Sequence, residues 1–245
     1  MIKAGVVQLL KRFFLRKMPT IYALIFLGCL AVSMLVNHSV TVMVETAPVQ
    51  NGQCIVIDAG HGGIDGGAIS CSGIPESQLN LEIAFRLNDL MRFLGYQTKM
   101  LRNRDTSLHT EGTTIGAQKI SDLKHRVQMV NEAIPALLIS IHQNTFSDPK
   151  YSGAQVFHNK TTESHELAGM IQAAFTQTIN IGSTRKSKVS QGVYLMQHVQ
   201  CPAVLIECGI LTNPQEEAAL RSEAYQKKLS CVIAASISQY HAALQ

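Results

Sequence analysis

Two histidines lie just beyond short apolar runs of the sequence, where the strands of a predicted sheet would end. His61 follows the run at 54–57 within a glycine-rich turn, and His142 follows directly after the run at 136–141. A single histidine in such a place is more often structural than a ligand. Two imidazoles that converge at one sheet edge instead favour a transition metal, most often zinc.

Two glutamates complete the set of residues suited to metal chemistry. Glu207 directly follows the apolar run at 203–206, where burial of a carboxylate is costly unless it is paired or functional. Glu76 precedes a helical pattern, and an acidic residue in a first helical turn is common for purely structural reasons. A hydrolytic zinc site uses three protein ligands, one open position and a carboxylate that accepts a proton. Glu76 is therefore a candidate third ligand, and Glu207 is a candidate general base.

Other chemistries are less consistent with these positions. The segment 58–67 contains five glycines but has neither the G-x-G-x-x-G spacing of a dinucleotide loop nor the G-K-[ST] of a P-loop. Cys208 as a thiol nucleophile would leave the paired strand-end histidines without a role. The six cysteines include no C-x-x-C pair, which argues against a cysteine-rich zinc module, while one disulfide remains possible in an oxidising compartment.

The elements that must position these residues alternate between apolar runs of strand length and segments of helical period. We predict strands at 54–57, 96–101, 136–141, 154–157, 193–196 and 203–206, and helices at 79–94, 123–133, 163–179, 214–220 and 225–243. This alternation predicts an α/β sandwich with a mostly parallel central sheet. Sites in such sheets form beyond the carboxyl ends of the strands, where the candidate residues should meet. The polar segment 106–118 is predicted to be a mobile loop beside the cleft.

The N-terminal part of the chain is predicted to be a targeting segment. Residues 1–20 form a basic cytoplasmic tail without an acid, and residues 21–44 form an uncharged, mainly apolar run. At about 1.5 Å per residue this run spans about 36 Å, which exceeds the roughly 30 Å hydrocarbon core of a bilayer. We therefore expect a transmembrane anchor that places the rest of the chain outside the cytoplasm, with a cleaved signal peptide as the alternative. Residues 45–52 are predicted to be a linker, and residues 53–245 form one domain.

The charge distribution excludes one class of function. The net charge is +4, but the first 17 residues hold five of the 21 lysines and arginines. The remainder has 16 basic and 17 acidic residues, so it lacks the positive charge of a nucleic-acid binder. The absence of tryptophan also disfavours a lectin-like function. The histidines other than His61 and His142 show no ligand spacing and are interpreted as surface or linker residues.

Several short motifs occur in order along the domain. They are Ile55–Gly63 with Asp65 and Gly67–Ala68, Glu76 with Leu79–Leu81, Arg102 with Asp105, Ser140–Asn144, and Ile206–Gly209 with Thr212–Asn213. The ordered set resembles the zinc-dependent N-acetylmuramoyl-L-alanine amidases of the amidase type 3 group over essentially all of 54–243. The resemblance implies a phosphorylase/hydrolase-like three-layer α/β sandwich. It also implies that His61, Glu76 and His142 bind Zn²⁺ and that Glu207 is the catalytic base.

Within that family the chain resembles in particular the germination-specific members of spore-forming bacteria, which have an N-terminal membrane segment. This implies hydrolysis of the amide between N-acetylmuramic acid and L-alanine in spore-cortex peptidoglycan, as a step toward muramic-δ-lactam. The need for an accessory protein stays open. Some members carry a helix that covers the site, and the short stretch 76–126 leaves little room for one, so we expect an open site.

Two alternatives to an amidase follow from the same residues. A zinc carboxypeptidase acting on cell-wall peptides would need an arginine near the site to hold a free C-terminal carboxylate. Arg102 and Arg126 are candidates, although pairing with acids such as Asp58 or Asp105 is the favoured interpretation. A catalytically silent binding protein would be expected to lack a ligand or the base, and all four residues are present.

Overall fold

A six-stranded sheet forms the centre of the domain in the computed structural model, which describes residues 53–244. The strands lie in the order β2-β1-β3-β6-β4-β5. Their bounds are β1 (Cys54–Ala59), β2 (Thr98–Met100), β3 (Ala136–Asn144), β4 (Gln155–His158), β5 (Lys188–Val189) and β6 (Ala203–Ile210). The helices are α1 (Glu76–Phe93), α2 (Ile115–Asn131), α3 (Thr162–Thr178), α4 (Tyr194–His198), α5 (Pro214–Leu220) and α6 (Glu223–Ala243).

The sheet is mixed, because β4 runs antiparallel to β6 while the other neighbouring strands are parallel. The connection between β3 and β4 contains no helix. A parallel return needs a crossover of about a dozen residues or more, usually helical, and this connection is too short to provide one. The sequence correctly predicted a mainly parallel sheet but did not predict this reversal.

Helices cover both faces of the sheet and give three layers. Helices α1, α3 and α6 pack on one face around a large apolar core that includes Ile57, Ile139 and Ile206. Helices α2 and α4 cover the other face, with a smaller core around Leu138 and Leu205. Since α4 has only five residues, this second layer is thin and leaves part of its sheet face open for a cleft.

Several predicted elements differ from the structure. The run 193–196 was predicted to be a strand but lies mostly in helix α4, and a short apolar run cannot distinguish a strand from a buried helical turn. Helix α2 begins at Ile115, so the predicted loop is shorter than expected. That loop is tied down by hydrogen bonds such as the one from the Leu108 amide to Asp122. Strands β3 and β6 each continue beyond their apolar runs, to Asn144 and Ile210.

The predicted tail, membrane segment and linker at 1–20, 21–44 and 45–52 lie outside the described residues. Between residues 53 and 244, no helix is both long and apolar enough to span a membrane. The cysteines of this part of the chain are all free thiols, and Cys71 and Cys231 are exposed rather than buried.

Candidate metal centre

A tight turn after β1 positions His61. This residue has a positive φ of 60°, and the Gly62 amide donates to the Asp65 carbonyl at 2.7 Å, which closes the turn. The imidazole Nδ1 lies 2.9 Å from the Asp65 carboxylate. Asp65 is in turn held by Lys119, 2.8 Å away. The carboxylate therefore fixes the ring of His61, with Nε2 directed at Glu76.

His142 and Glu207 lie directly opposite each other on β3 and β6. They were predicted to follow their strands, but both are strand residues, and the register shifts only after them, between His142 and Asn144. Because paired residues of adjacent strands project from the same face, both side chains reach the open cleft. The His142 side chain remains 19% exposed, so the cleft is accessible to solvent.

Glu76 joins the two histidines from the first turn of α1. Its Oε2 lies 3.3 Å from His61 Nε2, and its Oε1 lies 3.0 Å from His142 Nδ1. The backbone amides of Ala68 and Gln143 and the side-chain amide of Asn80 also donate to this carboxylate. Glu76 is thus buried with its orientation fixed.

The three side chains form a cluster of potential ligands. One atom from each of His61, Glu76 and His142 lies within 4.8 Å of the others. Burial opposes the charge of Glu76, but hydrogen bonds and attraction from His142 and His61 outweigh it and hold the pKa of Glu76 well below its usual range. Burial also lowers the pKa of His61, and Glu76 and Asp65 outweigh it and raise that pKa to about 9. The lowered pKa of Glu76 and the raised pKa of His61 both mean that the cluster favours positive charge. Two imidazoles and one carboxylate are also a donor set that fits Zn²⁺.

Glu207 has a different environment from Glu76. Burial raises its pKa to about 7, against the opposing effect of His142. Among the described residues, its Oε2 has no hydrogen-bond partner although it is buried. An unpartnered buried carboxylate oxygen is costly, and such an oxygen next to a cleft is suited to accept a proton.

Two glycines allow the cluster to close. A Cβ on Gly60 would lie 2.2 Å from Cε1 and Nε2 of His142. A Cβ on Gly67, where φ is +70°, would lie 2.7 Å from Glu76 Oε2. The glycine-rich segment therefore serves close packing around the imidazoles rather than phosphate binding.

The two arginines of the sequence analysis have structural partners. Arg126 forms a buried ion pair with Asp58 and a second one with Asp122. Arg102 donates to the carbonyls of Ala59, Gly60 and Ser77 and makes no ion pair within residues 53–244. The predicted acid pairing is therefore correct for Arg126 and wrong for Arg102. Both arginines brace the turn that carries His61.

Two features of the described residues were not predicted from the sequence. Asp65 was not predicted to contact His61, although a carboxylate four residues after a histidine was a signal for such a pair. His158 and His241 were interpreted as surface residues, but both are buried. Neither takes part in the cluster of His61, Glu76 and His142.

The chain thus belongs to the class of α/β proteins in which a candidate metal site faces a carboxylate at one sheet face. The family model for N-acetylmuramoyl-L-alanine amidases matches residues 55–239, so the chain belongs to this family of hydrolases. It is 40% identical over 192 residues to the germination-specific N-acetylmuramoyl-L-alanine amidase of Bacillus subtilis, which covers 78% of this chain and 80% of that protein. It is 28% identical to the amidase LytC of B. subtilis over 74% of this chain and 34% of LytC.

Solved structures show the same fold. The CwlD amidase from Clostridioides difficile, in complex with the GerS lipoprotein, matches with a TM-score of 0.75 and 34% identity, over 78% of this chain and 99% of that one. An N-acetylmuramoyl-L-alanine amidase from Clostridium difficile 630 matches with a TM-score of 0.66 and 30% identity, over 77% of this chain and 96% of that one. This chain is accordingly a peptidoglycan N-acetylmuramoyl-L-alanine amidase.

Proposed function

We propose that the chain is a zinc-dependent amidase of spore-cortex peptidoglycan, which cleaves the amide between N-acetylmuramic acid and L-alanine as a step toward muramic-δ-lactam. The observation that carries the proposal is the cluster of His61, Glu76 and His142 beside the unpartnered Oε2 of Glu207. The similarity to a germination-specific amidase supports the cortex as the substrate.

Each of these residues has a distinct role in the proposed reaction. His61, Glu76 and His142 hold the zinc ion, which when bound supplies Lewis-acid polarisation of the amide carbonyl and acidifies water. Asp65 keeps the His61 ring in place through Nδ1. The Glu207 carboxylate, which lines the cleft, accepts the proton of the attacking water and delivers it to the leaving nitrogen of L-alanine.

We further propose that the enzyme acts outside the cytoplasm, anchored or exported by residues 21–44, with residues 53–245 as the catalytic domain. The solved CwlD amidase is in complex with a lipoprotein. By analogy, an accessory protein is proposed for this chain as well. The stretch between α1 and α2 contains only β2 and loops, which supports a site that is not covered by a helix inserted there.

A zinc carboxypeptidase that holds a C-terminal carboxylate with Arg102 or Arg126 is disfavoured by the partners of these two arginines. Arg126 is buried against Asp58 and Asp122, and Arg102 is buried against backbone carbonyls. Neither is free to hold a C-terminal carboxylate. Digestion of intact sacculi and of free peptides separates the two activities, since only a carboxypeptidase would release C-terminal residues from free peptides.

The decisive experiment compares the wild type with Glu207→Gln on denuded peptidoglycan at equal zinc loading. Mass spectrometry of the products should show free L-alanyl stem peptides with the wild type and none after zinc is chelated. Glu207→Gln keeps the shape of the side chain but cannot accept a proton, so turnover should fall by about 10²–10⁴ with normal zinc content. Near-normal turnover would remove Glu207 from the mechanism, and a parallel loss of zinc would make it a ligand.

A further inference from the structure

The cleft around Glu207 is asymmetric in charge. Glu207 lines three adjoining cavities. The cavity on the β1 side, of about 360 Å³, contains Lys119 and Arg126 as its cations. Both are already paired, Lys119 with Asp65 and Arg126 with Asp58. On this side of the cleft, no lysine or arginine that lines the cavity is free to bind an anionic group of a substrate.

The other side of Glu207 has a free cation. Lys188 lines both remaining cavities, of about 560 Å³ and 360 Å³. Its ammonium has no ion pair or hydrogen bond with any residue between 53 and 244. Arg185 lines the smaller of these two cavities, and its guanidinium is anchored at one end by the carbonyl of Gly153. Glu207 is the only acidic residue that lines either cavity.

Strand register places Lys188 on the same sheet face as the candidate base. Lys188 on β5 pairs with Phe157 on β4, and Phe157 pairs with Leu205 on β6, two residues before Glu207. Adjacent strands lie about 4.8 Å apart, so the backbone of Lys188 is roughly 10 Å from that of Leu205. An extended peptide advances about 3.4 Å per residue. The four-methylene side chain of Lys188 covers part of the distance between its own backbone and a peptide bound beside Glu207. A group one or two residues beyond the scissile amide therefore comes within its reach.

Resting on the proposed function, we infer that Lys188, assisted by Arg185, binds a carboxylate of the stem peptide and so selects acidic peptides on the leaving side of the amide. The peptide side of the substrate carries free carboxylates, whereas the N-acetylated glycan side offers neutral hydroxyl and amide groups. Lysine at a sheet edge also guards against strand pairing between molecules, which is a purely structural role. Only the carboxylate role predicts that the effect of the lysine depends on the substrate.

The test uses zinc-loaded full-length protein and two soluble disaccharide–peptides. In one, the glutamate that follows L-alanine has a free α-carboxylate, and in the other that carboxylate is an amide. For the free acid, Lys188→Gln should raise KM about five- to tenfold with kcat nearly unchanged, because the contact forms in the ground state and the transition state alike. Lys188→Arg should restore most of the affinity. For the amide, Lys188→Gln should leave KM unchanged.

Lys186→Gln is the matched control, since Lys186 is an exposed cation of the same segment that lines none of the three cavities. It should change neither substrate's KM. Equal KM increases for the acid and the amide, or equal effects of Lys186→Gln and Lys188→Gln, would overturn the inference while leaving the proposed function intact. Failure of the wild type to cleave either substrate would count against the proposed function itself.

Discussion

Asp65 lies outside the candidate ligand set but fixes the orientation of one of its members, His61. Its carboxylate accepts from His61 Nδ1 at 2.9 Å, which fixes the tautomer that presents Nε2 to Glu76. Partners of this kind commonly contribute 10–100-fold in metal affinity. The role of Asp65 is a property of the tight turn, in which Gly62 and Asp65 exchange backbone hydrogen bonds.

We expect Asp65→Asn to weaken zinc binding by about 10–100-fold, because the amide loses the charge that orients His61. Competition with a chromogenic chelator measures this affinity directly. Asp148→Asn is the control, since Asp148 also pairs with a lysine but lies on the exposed surface. Equal affinities for wild type and Asp65→Asn would show that Asp65 is not needed to hold the ring.

Gly60→Ala should disturb the site from the backbone side. The added Cβ would lie 2.2 Å from the His142 ring, so the imidazole must move away from Glu76. Zinc affinity and amidase turnover should both fall, while Gly116→Ala, in helix α2 with open space around it, should change neither. Unchanged zinc affinity in Gly60→Ala would contradict the close packing that the structure shows.

At the scale of the elements, Arg126 ties helix α2 to the end of β1. Its guanidinium is buried against Asp58, which Ser140 on β3 also contacts at 2.7 Å. Burial opposes the ionised form of Asp58, but Arg126 and its neighbours outweigh it and hold the pKa of Asp58 below its usual value of 3.8. A carboxyl group whose pKa is lower in the folded state stabilises the fold at pH values above its pKa in the unfolded chain. This stabilisation is lost as the pH falls through the pKa of the folded state.

Arg126→Met should therefore lower the free energy of unfolding by about 3–5 kcal/mol at pH 7, since it leaves a buried carboxylate without its cation. Without Arg126, burial raises the pKa of Asp58, so the carboxyl can become neutral on acidification and the deficit should shrink toward pH 4. Urea unfolding of the wild type and Arg126→Met at pH 7 and at pH 4 measures the loss of unfolding free energy at each pH. Lys227→Met removes only an exposed pair with Glu223 and should leave the midpoint unchanged. A deficit that is constant with pH would contradict the assigned role of Asp58.

The sequence carries different amounts of information about the candidate residues. Apolar runs predict that His61 and His142 lie at one sheet edge, whereas Glu76 is only one candidate in a first helical turn until the family resemblance implies that it is a ligand. The structure brings the three side chains together. The direct pairing of His142 with Glu207 and the reversal of β4 depend on strand register and connection geometry, which local periodicity does not encode. The same limit explains helix α4, whose short apolar run has no distinguishing period.

At the scale of the whole molecule, the proposed anchor makes a prediction about fractionation. The basic tail 1–20 and the uncharged run 21–44 predict that full-length protein sediments with membranes and resists extraction by salt or alkali. A chain that starts at Gln53 should stay in the supernatant. N-terminal sequencing of the mature protein provides the check, because a start near Ala47 would replace the anchor with a cleaved signal peptide.

The pairing of His142 with Glu207 also has a consequence for how activity appears during folding. The site draws on residues from 61 to 207, and β3 and β6 are separated in sequence by β4, α3, β5 and α4. Such long-range pairings close late, since the loop between them must first be ordered. A one-residue slip of β6 would turn Glu207 into the apolar core on the opposite face. Recovery of amidase activity on refolding can therefore begin only when this pairing has formed in register, and enzymatic turnover becomes a kinetic probe of the pairing of β3 with β6.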